Sequence, residues 1–318
     1  MLLLPSLISL RHPTDHELSP EDIFSSSLGA IFTDDLQNQH GTDPSTTILY
    51  TPSNPRYASP IELHAADVDG EEQRRKFAHY LWNAGVLMGE LVGGRAGAGA
   101  YGRRNNEGDS GRWGEGEWWL SREEEAAWSV KGERVLELGA GVGLGGIMSA
   151  LAGAEEVAIT DYPAPPILDT LKKNITKNLP AALQPRVSVE PHQWGDFSNP
   201  FASTNAHRYT RVLAADCLWM PYEHHNLALS MVHFLSPSPE ARVYVIAGFH
   251  TGRAKMAPFI EEVVPEVGLA VEDVFEMDAE GRRREWVKER DGGREDIGGR
   301  KKWLMVARLK RKVEGPSS

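Results

Sequence analysis

The chain has 318 residues, a formal net charge of −11, an apolar content of 41% and a charged content of 25%. No run of 18 apolar residues occurs, so no membrane-spanning helix is expected, and the single cysteine, Cys217, excludes an intrachain disulfide and favours a cytoplasmic setting. The acidic balance is opposite to that of a general nucleic-acid binder, and no residue cluster has metal-ligand spacing, so neither nucleic acid nor a metal is predicted.

Residues 1–70 are predicted to form an irregular N-terminal extension that wraps around the rest of the protein. Its apolar start, MLLLPSLISL, lacks a basic region and a cleavage site, and is expected to be a docking or a frayed terminus rather than a signal peptide. Residues 51–60, TPSNPRYASP, are too rich in turn formers for a helix. Short apolar pieces such as residues 48–50 predict one or two strands.

Helical spacing of Phe77, Leu81, Ala84 and Met88 predicts a helix over residues 71–90. A glycine-rich insertion follows at residues 92–117, where the composition predicts a loop with no packed element.

From residue 133 the chain alternates between apolar strands and helices, which predicts a single α/β domain over residues 71–312, followed by a tail at 313–318. The strands read as continuous apolar runs, as buried parallel strands do. A long charged stretch separates the last two strands, 269–277 and 301–309, and predicts that they form an antiparallel hairpin. The expected fold is a doubly wound, mostly parallel seven-stranded sheet with an antiparallel last strand.

The stretch VLELGAGVGLGG at residues 135–146 lies between a strand and a helix and admits two interpretations. Gly141, Gly143 and Gly146 satisfy the dinucleotide fingerprint G-x-G-x-x-G. The same stretch reads E-x-G-x-G-x-G from Glu137, an acid placement typical of S-adenosylmethionine sites, where a carboxylate can receive the methionine ammonium. Asp161 ends the next strand and is placed to bind the ribose hydroxyls in either case.

Five stretches carry a resemblance to a known family: LWNAG at 81–85, VLELGAGVGL at 135–144, ITDYP at 159–163, WGD at 194–196 and AADCLW at 214–219. The chain resembles the family 16 seven-β-strand methyltransferases, over about residues 71–310. It is most similar to a fungal branch labelled nicotinamide N-methyltransferase-like, which includes the enzyme that methylates the N-terminus and adjacent lysine of elongation factor 1-alpha. The resemblance implies a Rossmann-like class I methyltransferase, usually monomeric.

The resemblance also implies residue roles. S-adenosylmethionine would be contacted by Trp82, near its methionine or adenosine part, by Gly139, Ala140 and Gly141 through their backbone, by Asp161 at the ribose, by Trp194 at the adenine and by Ala215 at the methionine side. Asp216 and Trp219 fall where the family carries D-x-x-Y or D-x-x-F and are the candidate catalytic pair. Because Trp219 has no hydroxyl, a role that needs a tyrosine phenol is not expected here.

Ligands bind beyond the carboxyl ends of the strands in open α/β sheets, which also selects Tyr222, Phe249 and His250. Each has a structural alternative, as a turn, packing or loop residue. His192 is a weaker cofactor candidate, and His224 is expected at the surface.

The predicted function is S-adenosylmethionine-dependent N-methylation of a protein lysine or N-terminal amine, with elongation factor 1-alpha as one candidate substrate. Three alternatives stay open: a methyltransferase that acts on a small amine such as nicotinamide, a non-catalytic binding module and a dinucleotide-dependent dehydrogenase. Glu137, Trp194 and the terminal hairpin disfavour the last.

Overall fold

The computed structural model describes residues 3–13, 38–41, 45–67, 80–95 and 119–312. The N-terminal extension contains more regular structure than the predicted one or two strands. Among the described residues, four strands precede residue 70 and a fifth follows at residue 81: β1 Ile8–Arg11, β2 Gln39–His40, β3 Thr47–Tyr50, β4 Ile61–Leu63 and β5 Leu81–Trp82. β1, β3 and β4 form an antiparallel sheet, and β2 pairs with β5.

The extension is fastened to the rest of the protein at several buried points. Leu4 and Leu7, at the two ends of a 3₁₀ turn (Leu4–Leu7), are buried, and the Leu4 N–H donates to the carbonyl of Ala279 at 3.1 Å. This confirms the predicted docking of the apolar start. The buried carboxylate of Glu90 accepts hydrogen bonds from the hydroxyls of Tyr50 and Ser53.

The helix predicted over residues 71–90 is wrong in its bounds. Helix α1 runs over Asn83–Gly93, and Leu81 and Trp82 are extended because β2 pairs with them. A strand partner about forty residues earlier is not visible in helical spacing. Residues 68–79, including Phe77, lie outside the described residues, as do residues 96–117 of the glycine-rich insertion, residue 118 and the tail at 313–318.

The central sheet has eight strands, one more than predicted. They are β6 Arg134–Leu138, β7 Glu156–Asp161, β8 Val187–Pro191, β9 Arg211–Ala215, β10 Arg242–Gly248, β11 Leu269–Asp278, β12 Arg283–Glu285 and β13 Trp303–Arg311. Their order is β12-β11-β13-β10-β9-β6-β7-β8. Strands β6 to β10 pair in parallel, and β13 is antiparallel to both β10 and β11, which confirms the predicted arrangement.

The eighth strand, β12, comes from the charged stretch that was predicted as a loop. It pairs with the end of β11, where the Arg283 guanidinium lies 4.5 Å from the centre of the Phe275 ring. Cation–π contact and ladder pairing explain how so polar a segment joins the sheet edge.

Helices cover both faces of the sheet. Alternate residues of β6 point to opposite faces, since Val135 belongs to one buried apolar cluster and Leu136 to the other. The remaining helices are α2 Arg122–Trp128, α3 Leu144–Leu151, α4 Pro165–Asn178, α5 Pro200–Thr204, α6 His224–Phe234, α7 Arg253–Pro258, α8 Val264–Glu266 and α9 Ile297–Lys301. Single 3₁₀ turns occur at Gln184–Arg186, Pro221–Glu223 and Asp291–Gly293.

The helical segment between β10 and β11 consists of three pieces. A π-helical segment, Phe259–Val263, separates α7 from α8 directly after Pro258, whose ring cannot continue an α-helical hydrogen-bond ladder. Across the described ranges, no helix combines the length and the apolar character that a bilayer crossing requires.

Candidate functional site

A cavity of about 390 Å³ lies at the carboxyl ends of β6, β7, β8 and β9. All ten residues predicted for the site line it: Trp82, Glu137, Gly139, Ala140, Gly141, Asp161, Trp194, Ala215, Asp216 and Trp219. This is the edge at which parallel α/β sheets bind ligands. We call the part around Gly139–Gly141 and Asp161 the glycine-loop end, and the part around Trp82, Asp216 and Trp219 the Asp216 end.

The glycine-loop end depends on close backbone packing. Gly139 has a φ of +62°, and a Cβ placed on it would lie 2.8 Å from the Cys217 sulfur and 2.9 Å from the Trp194 ring. Any side chain here would be both strained and overlapping. At the start of α3, a Cβ on Gly146 would lie 2.5 Å from Ile159. The glycines therefore let the loop and helix lie directly against the strands and leave backbone as the cavity wall.

Glu137 is buried beneath the loop, where it caps helix α3. One carboxylate oxygen accepts the Gly145 N–H at 3.1 Å and the other accepts the Gly146 N–H at 2.8 Å. Burial raises the pKa of Glu137 to about 8, although the two N–H groups act in the opposite direction. Each oxygen keeps another lone pair, so contact with a ligand ammonium stays a prediction alongside this capping role.

Asp161 is locked onto the glycine loop from the neighbouring strand. The Oδ2 of Asp161 accepts the Gly141 N–H at 2.7 Å, and Asp161 is only 8% exposed. Burial raises the pKa of Asp161, opposed by the N–H groups of Gly141 and Tyr162. This contact holds the loop and the carboxylate in a fixed relation, with the carboxylate on the cavity wall. Its ribose role stays a prediction.

The Asp216 end contains a pair that the sequence did not identify. Asp216, at a φ of +58°, accepts the Gly248 N–H on Oδ1 at 2.9 Å, while its Oδ2 lies 2.9 Å from Nε2 of His250. The His250 ring in turn lies against Trp82, with ring centres 4.3 Å apart. Both residues had been selected separately as strand-end candidates. The signal that could have joined them is that β9 and β10 are adjacent and parallel.

The other strand-end candidates divide between the cavity and the core. Tyr222 lines the mouth of the cavity and is 76% exposed, whereas Phe249 is buried and stacks on Trp286. His192 lines the cavity and contacts the Ser230 hydroxyl. The surface position expected for His224 is wrong: its ring is buried and its Nε2 lies 3.0 Å from the Leu218 carbonyl oxygen.

The cavity fits S-adenosylmethionine, the cofactor implied by the sequence. Side-chain-free backbone at Gly139 admits a close ligand, and the carboxylate of Asp161 offers an acceptor for hydroxyls. The buried Nδ1 of His192, on the cavity wall, has no hydrogen-bond partner in the described part of the chain. In those same ranges no three acidic, histidine or cysteine side chains are grouped as metal ligands are.

Comparisons with known proteins identify the family of the chain. Residues 67–264 match the family model described as lysine methyltransferase. The chain is 26% identical over 249 residues to the Protein N-terminal and lysine N-methyltransferase EFM7 of Gibberella zeae, covering 74% of this chain and 79% of that protein. It is 27% identical over 205 residues to the efm7 protein of Schizosaccharomyces pombe, covering 63% and 68%.

Among solved structures, the chain is similar to SMU.776, a protein assigned as a methyltransferase, whose crystal structure contains SAH. The TM-score is 0.51 at 11% identity, with 91% of this chain and 65% of that chain covered. At this identity the likeness concerns the fold alone.

Proposed function

We propose that this chain, which belongs to the lysine methyltransferase family, transfers a methyl group from S-adenosylmethionine to a protein amine, either a lysine side chain or an N-terminal amino group. Family membership removes the dehydrogenase alternative and the non-catalytic one. The names of its relatives support a protein acceptor.

The observation that carries the proposal is a single cavity with two chemically different ends. At the glycine-loop end, Gly139 to Gly141 and Asp161 would hold the cofactor, with Trp194 against its adenine. At the Asp216 end, a carboxylate and the aromatic faces of Trp82 and Trp219 would hold a cationic amine. S-adenosylmethionine supplies a methyl group already activated on sulfur, so the residues of this chain mainly position the two reactants.

The acceptor nitrogen must lose its proton before it can attack. For lysine at pH 7.4 this costs roughly 4 kcal/mol, whereas for an α-amino group it costs less than about 1 kcal/mol. An N-terminal amine therefore needs no strong base at the Asp216 end, and a lysine needs either a base or a higher pH.

An open mouth favours a protein over a small amine. Tyr222 stands 76% exposed at the rim, and Pro221 beside it is also exposed, so a peptide can pass across this edge. Elongation factor 1-alpha is the candidate acceptor, on the strength of the LWNAG, ELGAGVGL and TDYP motifs. We further propose that the protein acts as a cytoplasmic monomer; its single cysteine, Cys217, is buried and free.

Calorimetry with S-adenosylmethionine and its demethylated product tests the cofactor site. Asp161→Ala removes the acceptor of the Gly141 N–H and should weaken binding on the order of 100-fold. Asp169→Ala, which removes an acid 62% exposed on α4, is the matched control and should bind normally. Folded wild-type protein that binds neither ligand would overturn the proposal.

Transfer of labelled methyl groups tests the acceptor. Recombinant elongation factor 1-alpha should be labelled at its N-terminus or a nearby lysine, and nicotinamide should not. Labelling of nicotinamide alone would replace the protein acceptor with the small-amine alternative, and labelling of another protein in a cell extract would replace only the named substrate.

A further inference from the structure

His250 touches two residues of the cavity wall from behind. Its Nε2 lies 2.9 Å from Oδ2 of Asp216, and its ring lies against Trp82 with centres 4.3 Å apart. Asp216 and Trp82 both line the cavity. A single imidazole thus supports the carboxylate and the aromatic face that we assign to the acceptor amine.

The backbone around the pair is shaped for this contact. Asp216 has a φ of +58°, in the left-handed region that L residues rarely adopt, and the N–H of Gly248 donates to its Oδ1. A Cβ on Gly248 would lie 2.4 Å from the His250 Nε2. Glycine at this position leaves the space in which the imidazole reaches the carboxylate.

Trp82 is itself held in place on its other sides. Gln39 of β2 pairs with it through the backbone. The side chain of the next residue, Asn83, is hydrogen-bonded to His40, with 2.9 Å between Asn83 Oδ1 and His40 Nε2. The aromatic wall is therefore fixed by backbone pairing from the extension and by the His250 ring.

We propose that His250 is a positioning residue for methyl transfer: it orients Asp216 and Trp82, and its proton state sets the net charge that the pair presents to the acceptor amine. With His250 neutral, the pair carries one negative charge, which attracts an ammonium. With His250 protonated, the pair is neutral overall and attracts it less. This inference rests on the proposed function of the cavity.

The charged groups around the imidazole act on the pKa of His250 in opposite directions. Burial alone would lower the pKa of His250, but the charge of Asp216 and the hydrogen bond to it outweigh burial and raise the pKa above its usual value. Lys301, on α9, acts in the lowering direction. Arg253, the nearest arginine along the chain, is already paired with Glu276 and Glu295.

The pH profile of acceptor kcat/KM separates this role from a structural one. Protonation of His250 weakens the attraction for the amine, so below the pKa of His250 log kcat/KM should rise more steeply than the slope of about 1 that deprotonation of the amine alone gives; above it the slope should be about 1. His250→Gln keeps a donor near the Nε2 position but cannot titrate, so the slope of log kcat/KM for this variant should be about 1 throughout. The difference from wild type should appear mainly in the pH dependence of the acceptor KM. His225→Gln, which alters a half-exposed histidine on α6, should keep the wild-type profile.

NMR titration gives an answer that does not depend on the acceptor. In wild-type protein, the indole signal of Trp82 should shift with the same midpoint as the ring of His250, and Asp216→Asn should move that midpoint to lower pH. An unmoved Trp82 signal, or equal slopes in wild type and His250→Gln, would falsify the inference. Absence of any methyl transfer together with a coupled titration would instead count against the proposed function.

Discussion

The two ends of the cavity are built in different ways. The glycine-loop end is assembled from one short segment, residues 139–146, and from Asp161 on the adjacent strand, with backbone as the main surface. The Asp216 end is assembled from side chains of the extension-paired strand β5 and of two separate strand ends, β9 and β10. Under the proposed function, cofactor recognition would be local in sequence, whereas acceptor recognition would depend on distant parts of the chain that meet only in the fold.

Gly139→Ala should have the largest effect, because it adds a methyl group where no space exists. Strain at φ +62° and overlap with Cys217 and Trp194 together cost about 3 kcal/mol, which predicts roughly 100-fold weaker binding of S-adenosylmethionine by calorimetry. Gly132→Ala is the matched control, since its φ is +75° but nothing lies within 4 Å of the added Cβ. Equal losses in the two variants would show that strain, and not packing, governs this end.

Glu137→Gln should change how stability depends on pH. The folded-state pKa of about 8 exceeds the usual value, so the folded protein holds this proton more tightly, and the free energy of unfolding falls as pH rises from about 4.5 to 8. Gln cannot titrate, so it removes this pH dependence. Between pH 5.5 and pH 7.5, the free energy of unfolding of the variant should therefore rise relative to that of wild type by on the order of 2 kcal/mol, measured by urea unfolding. Glu223→Gln, at the half-buried mouth of the same cavity, is the comparison variant. Parallel curves for wild type and Glu137→Gln would contradict the assignment.

Asp216→Asn should affect the opposite end only. Asn accepts the left-handed conformation at φ +58°, so the backbone should be kept while the charge is lost. We expect kcat/KM for the protein acceptor to fall about tenfold, with affinity for S-adenosylmethionine within about threefold of wild type. A comparable loss of cofactor affinity would mean that the two ends are coupled.

Tyr222→Ala should give the smallest effect, at the rim. Its side chain is 76% exposed, so thermal stability and cofactor affinity should not change, while the KM for a protein acceptor should rise about threefold. Ile297→Ala removes another exposed apolar side chain, 61% exposed, that does not line the cavity. A KM unchanged by Tyr222→Ala would place the path of the peptide elsewhere.

Sequence reasoning was accurate where the determinants are close together in the chain. The glycine pattern, Glu137 and Asp161 lie within one β-α-β unit, so their spacing predicted one shared cavity edge. The parallel sheet and its terminal hairpin were predicted from apolar runs separated by helical segments.

Sequence reasoning failed where the conformation or contact of a residue depends on a partner that is remote in the chain. The extended conformation of Leu81 and Trp82 depends on β2, and β12 depends on β11, so neither has a local signal. Asp216 and His250 are 34 residues apart, and only the adjacency of β9 and β10 brings them together. The capping of α3 by Glu137 was also not predicted, although its carboxylate accepts the N–H groups of Gly145 and Gly146, and its contact with a ligand ammonium stays a prediction.

The bond between Leu4 and the carbonyl of Ala279 sets an order of events during synthesis. These residues are some 275 positions apart, and at about 5–20 residues per second the second emerges roughly 15 to 55 s after the first. The Leu4 N–H can find this acceptor only after β11 has been made. The extension thus completes its fold only after Ala279 has been made, and its apolar segment stays unpaired in the nascent chain during that interval.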